Sequence, residues 1–252
     1  DRCLSRGLGD VYKRQDMPFD KETLNAAQRA VVRENELEEA YIRPMCFLGS
    51  EGMGLRADNL KTHVMVASWA WPSYMDPEAR DRGIRIATSS YTRHHVNITM
   101  CKAKANGNYI NSILALREAM DAGFEEALLL DNEGYVAEGS GENFFFVRDG
   151  VLYTPELTSC LEGITRDSIL RIAADQGLTV REKRITRDEV SVADEAFFTG
   201  TAAEVVPFRE LDNRMIGSGT RGPITEKLQA IYFEAVRGAQ PDYAEWLAPV
   251  AD

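Results

Sequence analysis

The stretch FFFVRDGVLY, residues 144–153, is the clearest structural signal in the chain. Two apolar runs rich in aromatic and β-branched residues flank Asp149-Gly150, a pattern typical of the tight turn of a β-hairpin. Other strand-like runs lie on both sides of this stretch, over residues 40–48, 62–69, 84–89, 127–130, 180–185 and 195–199.

The segments between these runs carry helical periodicity. Asp20 is typical of a helix start and predicts a helix to about residue 37, with Leu24, Ala27 and Val31 on one face. Later helices are predicted after Asn106-Gly107, after Gly163 and at Pro223. Their inward-facing residues are, in that order, Ile110, Ile113, Leu114 and Met120; Ile169, Ile172 and Ala173; and Ile224, Leu228, Ile231 and Ala235. Because strands and helices mix without regular β-α-β alternation, we expect an α+β fold or a barrel-like sheet with outer helices.

The composition narrows the class of protein. The chain has 252 residues, of which 44% are apolar and 27% charged, as in an ordinary globular protein. No run approaches the length of a membrane span, and the net charge of −11 argues against a broad nucleic-acid-binding surface. Four scattered cysteines and three histidines give no zinc-ligand spacing, so we predict no metal, reduced thiols and a cytoplasmic location.

Lys104 is the first candidate for chemistry, because it stands just before a glycine turn and a predicted helix. A desolvated lysine at such a place is the usual amine for Schiff-base chemistry. Most lysines, however, are solvated surface residues. Nothing local separates Lys104 from Lys102, two residues earlier.

The string EGSGEN, residues 138–143, sets two acids, Glu138 and Glu142, among small residues between two strands. Small residues let the backbone approach a flat ligand, and a carboxylate there can hold a protonated ring nitrogen. A bulged turn with solvated acids explains the same residues equally well.

Two further segments offer free backbone amides beside a hydroxyl, Gly163-Ile164-Thr165 at a helix start and Gly200-Thr201-Ala202 after a strand. The first turn of a helix attracts anions, although most helix starts bind only water or their own cap. Two such segments in one chain indicate a phosphate, a carboxylate or both. No Ser/His/Asp arrangement can be built around His94 and His95, which we interpret as loop or surface residues.

Five strings occur together in a specific order: YIRP at 41–44, KANGNY at 104–109, EGSGEN at 138–143, GITR at 163–166 and TGTAAE at 199–204. This set resembles the fold-type IV pyridoxal-phosphate enzymes, and specifically the branched-chain amino-acid aminotransferases among the class IV aminotransferases. The resemblance runs from about residue 16 to the C-terminus. It implies a two-domain α+β protein with a small α/β domain and a larger pseudo-barrel domain.

The resemblance also implies the cofactor, pyridoxal 5′-phosphate, and the residues that bind it. Lys104 would carry the cofactor as a Schiff base and move the proton during the reaction, while Glu138 would pair with the ring nitrogen. Tyr109 would bond the ring hydroxyl and Leu161 would pack on the ring. The phosphate would be held by Ile164, Thr165 and Thr201, with Gly163, Gly200 and Ala202 as further cofactor-binding residues.

The substrate residues follow from the resemblance in the same way. Thr201 and Ala202 would offer amides to the substrate α-carboxylate, with Tyr41 nearby, and Arg43 would receive the side-chain carboxylate of glutamate. Trp71 and Tyr74 would wall an apolar side-chain pocket. The implied reaction is ping-pong transamination of leucine, isoleucine or valine with 2-oxoglutarate, in a homodimer or higher homo-oligomer without nucleic-acid or membrane partners.

Alternatives remain at this point. A D-amino-acid aminotransferase or an aminodeoxychorismate lyase would share Lys104 and Glu138, although YIRP and GTAAE favour the branched-chain type. A catalytically silent fragment is the third alternative, because a glycine-rich stretch and a phosphate-clamping arginine that precede the first helix in the family are not visible here.

The first fifteen residues resemble translated adapter sequence from metagenome assemblies, and we predict a non-native leader over 1–15. We further predict an incomplete small domain over 16–67, a linker over 68–79 and a large cofactor-binding domain over 80–252. An N-terminally truncated small domain would expose an unpaired strand edge. The chain as written is therefore expected to be poorly soluble or inactive, unlike a longer parent.

Overall fold

The structure is a computed structural model that describes residues 16–56, 59–71 and 78–250. The predicted leader and Tyr74 lie outside the described residues. The first described unit contains helix α1 (Lys21–Glu34) and the antiparallel strands β1 (Tyr41–Leu48) and β2 (Thr62–Trp69). Asp20 caps α1 as expected, since its Oδ1 accepts the Thr23 N–H at 2.7 Å, but the helix ends three residues earlier than predicted.

A nine-stranded sheet forms the larger unit. Its strands are β3 (Ile84–Thr88), β4 (Glu126–Leu130), β5 (Val136–Gly139), β6 (Asn143–Arg148), β7 (Val151–Pro155), β8 (Val180–Lys183), β9 (Glu195–Gly200), β10 (Glu204–Leu211) and β11 (Arg214–Met215). The order is β5-β4-β3-β10-β9-β6-β7-β8, with β11 on β10. The two outermost strands of this order approach each other, because Tyr135 bridges Thr186 and the Val136 N–H bonds the Ile185 carbonyl at 2.8 Å. The sheet therefore curls into a barrel-like shape.

The predicted hairpin is confirmed as β6 and β7, with Arg148 opposite Val151 and positive φ angles at Asp149 and Gly150. Side chains alternate between the two faces of a strand. Phe144 and Phe146 accordingly belong to one buried cluster, whereas Phe145 belongs to another. One strand thus contributes to the core on both faces of the sheet.

Helices surround this sheet. They are α2 (Ala79–Arg82), α3 (Tyr109–Asp121), α4 (Ile164–Asp175), α5 (Arg187–Ser191) and α6 (Pro223–Val236), with 3-10 turns at Asn106–Asn108 and Pro241–Trp246. The predicted inward face of α4 is confirmed, since Ile169, Ile172 and Ala173 are fully buried. In α6, which begins at Pro223, Leu228 and Ala235 are buried.

One expectation was wrong and one strand was not predicted. The large apolar residues of α3 do not face inward: Ile110 and Ile113 are 63% exposed, and small residues such as Ala115 and Ala119 are buried instead. Close packing of the helix on β4 favours the small side chains. The unpredicted strand is β10, an interior strand of the sheet in which Pro207 is typical of an edge strand.

The described residues contain no helix long and apolar enough to cross a membrane and no group of His, Cys, Asp or Glu side chains arranged to hold a metal. Cys101 and Cys160 are free thiols there.

Candidate active site

A cleft of about 740 Å³, open to solvent, lies where β5, β6 and β9 meet the loops before α3 and α4. Nine of the predicted cofactor residues line it: Lys104, Tyr109, Glu138, Leu161, Gly163, Ile164, Thr165, Gly200 and Thr201. They come from segments far apart in the sequence, so the fold itself brings them together. Ala202, Tyr41, Arg43 and Trp71 are not among the lining residues.

Lys104 is placed by the turn that precedes α3. Ala105 is extended, and the 3-10 turn Asn106–Asn108 leads into Tyr109. This turn places the Tyr109 hydroxyl 2.8 Å from the Lys104 Nζ. The amine is therefore held at the cleft by a neutral hydroxyl.

Lys102 has a different role. Its Nζ donates to the backbone carbonyl of Leu157 and, at 3.1 Å, to that of Cys160. Both carbonyls lie in the loop between β7 and α4, so Lys102 fixes the loop that carries Leu161 and Gly163. The structure thus gives different contacts to two lysines that the sequence alone could not distinguish.

Glu138 lies at the bottom of the cleft and is 4% exposed. Its Oε2 accepts the Leu161 N–H at 3.0 Å, and its Oε1 lies 2.8 Å from the Arg93 Nε. Burial raises the pKa of Glu138, and the charge of Arg93 opposes that rise. The ion pair is close, yet among the described residues neither atom has a hydrogen-bond partner of good geometry.

Arg93 was a residue that the sequence analysis missed, because it adjoins two histidines in an apparent surface loop. Its Nη1 donates to Ser112 at 3.1 Å and contacts Asn111 at 3.2 Å. These bonds fix the guanidinium between α3 and Glu138. Burial of its guanidinium would have identified Arg93, but the neighbouring residues in the sequence do not indicate that burial.

An anion cradle lies at the start of α4. Gly163 is the N-terminal cap and supplies no side chain to the free amides of the first turn. A Cβ on Gly163 would lie 2.1 Å from the Asn143 Oδ1, so only glycine fits against this side chain. Asn143 in turn bonds the Leu161 carbonyl at 2.8 Å. Gly200 and Thr201 face the same cleft from the end of β9.

Two further carboxyls lie beneath the cleft. Glu142 lines it and is 5% exposed, and Glu126 behind it is completely buried. Burial raises the pKa of Glu126 to about 7. Burial and the charge of Glu126 raise the pKa of Glu142 well above its usual range. The sequence analysis named Glu142 without a separate role and did not find Glu126.

The other reactive side chains near the cleft are uncharged at neutral pH. Burial lowers the pKa of His94 to about 4 and raises that of Cys160 to about 12. Cys101, which lines the cleft, also has a pKa raised by burial. A thiolate nucleophile is therefore not the chemistry of this cleft.

The predicted substrate residues of the small unit cluster with one another. The Tyr41 ring packs against Trp69 and Trp71, with centroids 5.2 and 4.9 Å away. The Arg43 guanidinium lies 5.0 Å from the Tyr41 ring centroid and 3.2 Å from its hydroxyl. This arrangement joins an aromatic wall to one exposed cation.

The cleft fits a flat, phosphorylated ring with a basic nitrogen. The Thr199 Oγ1 of the lining is buried without a hydrogen-bond partner among the described residues. Such an atom calls for a partner from outside the chain. The glycine-capped helix start suits a phosphate, and Lys104 supplies the amine.

The sequence model of the amino-transferase class IV family matches residues 4–211. The chain belongs to this family. Class IV aminotransferases use pyridoxal 5′-phosphate, the ligand type that the cleft geometry fits.

Individual class IV aminotransferases resemble the chain over most of its length. The branched-chain-amino-acid aminotransferase of Pseudomonas aeruginosa is 63% identical over 230 residues, which cover 91% of this chain and 75% of that protein. The crystal structure of the T.th. branched-chain amino acid aminotransferase with pyridoxamine 5′-phosphate superposes with a TM-score of 0.95 at 49% identity, covering 98% of this chain and 81% of that one. The same enzyme complexed with N-(5′-phosphopyridoxyl)-L-glutamate gives 0.92 at 48% identity and the same coverage.

Proposed function

We infer that the chain is a branched-chain amino-acid transaminase, which passes the amino group of leucine, isoleucine or valine to 2-oxoglutarate. The observation that carries this function is the convergence of Lys104, Glu138 and the cradle at Gly163 on one cleft. The 63% identity to a branched-chain-amino-acid aminotransferase supports the substrate class.

Each residue at the cofactor has a role that its position supports. When bound, pyridoxal phosphate supplies an electron sink that acidifies the substrate Cα–H. Lys104 binds the cofactor and takes or returns this proton at its Nζ, with Tyr109 orienting the amine and bonding the ring hydroxyl. Glu138, which is ion-paired with Arg93, holds the proton on the ring nitrogen.

The remaining cofactor residues bind and orient. Leu161 packs on the ring and excludes water from one face. The amides and hydroxyls that hold the phosphate belong to Ile164, Thr165 and Thr201, with Gly163, Gly200 and Ala202 as further cofactor-binding residues. Because the phosphate is dianionic, the positive end of the α4 dipole adds to these bonds.

Residues of the small domain, the linker and the β9–β10 turn select the substrate. Thr201, Ala202 and Tyr41 bind the α-carboxylate, while Trp71 and Tyr74 contact an aliphatic side chain. Arg43 receives the second carboxylate of glutamate, so one pocket accepts both substrates of the ping-pong cycle. The small domain over 16–67, the linker over 68–79, the large domain over 80–252, homo-oligomer formation and a cytoplasmic location belong to the same proposal.

The decisive experiment is borohydride trapping. The purified chain is incubated with pyridoxal phosphate, reduced and mapped by peptide mass spectrometry, with Lys104→Met and Lys102→Met as a matched pair. We expect label on Lys104 alone, retained in Lys102→Met and lost in Lys104→Met. Label spread over surface lysines, or no label, would contradict the assignment, and the test requires no turnover.

The substrate class is tested separately. In cofactor-loaded protein that turns over, L-leucine is expected to convert the cofactor absorbance, whereas D-alanine is not. Conversion by D-alanine alone would favour the D-amino-acid aminotransferase. Cofactor binding without conversion by either amino acid would favour the silent fragment.

A further inference from the structure

Glu204 begins β10, directly after the turn that contains Thr201 and Ala202. Three residues, 201–203, join Gly200 at the end of β9 to Glu204, which pairs with Gly200 across the hairpin. The φ angle of Glu204 is 61°, in the left-handed region. In hairpin loops of this length glycine usually takes the left-handed position, because it has no Cβ. This chain has a glutamate there.

An ion pair holds the Glu204 side chain. The Arg80 Nη2 donates to the Glu204 Oε2 at 2.9 Å, and the two side chains are 32% and 28% exposed. Burial raises the pKa of Glu204, and the charge of Arg80 opposes that rise. A left-handed backbone costs free energy in a residue with a Cβ. The contact with Arg80 therefore stabilises a conformation that Glu204 would not favour alone.

Arg80 is itself fixed by helix α6. Its carbonyl accepts the Gln229 Nε2 at 3.3 Å, and the same amide donates to the Val205 carbonyl at 2.8 Å. Gln229 is only 2% exposed. The Arg80 guanidinium also lies 4.9 Å from the centroid of the Phe233 ring. Arg80 thus reaches Glu204 from a position that α6 fixes through both the backbone and the side chain of the arginine.

The turn before Glu204 belongs to the proposed site. Gly200 and Thr201 line the cleft with Lys104, whereas Ala203 is buried in the core of the large unit. The turn therefore has one end at the cleft and the other in the core, and its shape depends on the backbone of the residue that follows it. A different backbone at Glu204 would redirect the amides that the proposed function assigns to the substrate α-carboxylate.

We propose that Glu204 is a positioning residue: its ion pair with Arg80 holds the left-handed backbone that fixes the turn at 201–203, and this turn keeps Thr201 and Ala202 directed at the substrate α-carboxylate. Glu204 is not among the residues that line the cleft, so it acts through the turn. The substrate role rests on the proposed function, whereas the link between the ion pair and the turn does not.

The link is tested first, on the protein without cofactor, by hydrogen–deuterium exchange of peptides that span the β9–β10 turn. We expect their amides to exchange about threefold faster or more in Arg80→Met and in Glu204→Ala than in the wild type, because a partly exposed ion pair is lost. Arg82→Met is the matched control, since it removes an arginine of the same helix that pairs with Glu125 at 3.0 Å. Wild-type exchange in either test variant, or an equal rise in Arg82→Met, would overturn the proposal, whether or not the cofactor binds.

The substrate role is tested on the cofactor-loaded protein with 4-methylvaleric acid, which has the carboxylate and the branched chain of leucine but no amino group. Isothermal titration calorimetry measures its Kd. We expect the Kd to rise about tenfold in Glu204→Ala, which loses the ion pair but keeps a Cβ on the left-handed backbone. In Glu204→Gly the Kd should stay within about twofold of the wild-type value, because glycine adopts this backbone unaided. Arg80→Met should raise the Kd in the wild-type background but not in the Glu204→Gly background.

A purely electrostatic role of the Glu204 carboxylate predicts a different pattern. It would give the same Kd in Glu204→Ala and Glu204→Gly, and that result would overturn the positioning role. A wild type that carries the cofactor on Lys104 but does not bind 4-methylvaleric acid would overturn it as well. Failure of the wild type to form the borohydride-reduced adduct at Lys104 would contradict the proposed function, while the exchange rates would still decide the link between Arg80 and the turn.

Discussion

The Nε of Arg93 lies 2.8 Å from the Oε1 of Glu138, and the two side chains are only 10% and 5% exposed. The charge of each group offsets the energetic cost of burying the other. A buried ion pair of this kind loses stability mainly when one partner is removed, because the remaining charge is left unpaired.

We therefore expect Arg93→Gln to lower the free energy of unfolding by about 3–5 kcal/mol. Loss of the guanidinium also removes the charge that opposes the rise in the pKa of Glu138, so we expect cofactor affinity to fall by about tenfold or more. Denaturant unfolding and fluorescence titration with pyridoxal phosphate measure the two effects. The double variant Arg93→Gln/Glu138→Gln should recover stability without recovering affinity, and equal stability of the single and double variants would refute the pairing.

The same substitution is expected to destabilise the protein at Lys102 and to leave its stability nearly unchanged at Lys104. Lys102→Met leaves two loop carbonyls without their donor, which costs about 1–3 kcal/mol of unfolding free energy. Lys104→Met removes an exposed side chain, so stability should change by about 0.5 kcal/mol or less. Thermal unfolding compares the two variants. A stable Lys102→Met protein would show that the loop does not depend on this ammonium.

Gly163→Ala tests the anion cradle. The new Cβ would meet the Asn143 Oδ1 at 2.1 Å and displace the side chain that bonds the Leu161 carbonyl. Overpacking of this kind costs about 1–3 kcal/mol, so the Kd for pyridoxal phosphate should rise about tenfold or more. Gly107→Ala is the matched control, because nothing lies within 4 Å of its Cβ position. An equal Kd for both variants would show that Gly163 does not contribute to the anion cradle.

The parts of the fold that were predictable from sequence are those fixed by neighbouring residues. Asp20 caps the helix that follows it, and the turn at Asp149-Gly150 joins β6 to β7. In each case the hydrogen bonds that decide the structure span only a few positions. Such short-range signals can be recognised from a single sequence.

The parts that were not predictable depend on partners far along the chain. The face of α3 is decided by close packing on β4, and β10 tolerates Pro207 although it pairs with strands on both sides. The site divides in the same way. Lys104 and Glu138 stood in recognisable strings, whereas Arg93, Lys102 and Glu126 acquire their roles from contacts that only the folded chain creates.

Arg43→Gln should separate the two half-reactions. The exposed guanidinium beside Tyr41 is proposed to bind the side-chain carboxylate of glutamate. We expect the KM for glutamate to rise about tenfold or more, since a charge-assisted pair is lost, while the KM for leucine changes little. Half-reactions followed by cofactor absorbance measure both constants. Arg33→Gln, on the surface of α1, is the control, and a parallel rise for leucine would exclude a selective role.

Glu126 makes stability depend on pH in a direction opposite to that of a paired carboxylate. Its folded-state pKa of about 7 lies above the ordinary value of 4.5, so the native state binds the proton more tightly than the unfolded state. The resulting stability is fully present below pH 4.5 and is lost as the pH rises through 7. A pKa that differs by one between the folded and unfolded states is worth about 1.4 kcal/mol, so Glu126→Gln should flatten the decline between pH 5 and 8 by roughly 2–3 kcal/mol. Urea unfolding at several pH values measures the slope of stability against pH. The control Glu133→Gln replaces an exposed carboxyl between β4 and β5 and is expected to retain the wild-type slope. A wild-type protein that becomes more stable over this range, with the same slope in Glu126→Gln, would show that the buried carboxyl does not carry this proton.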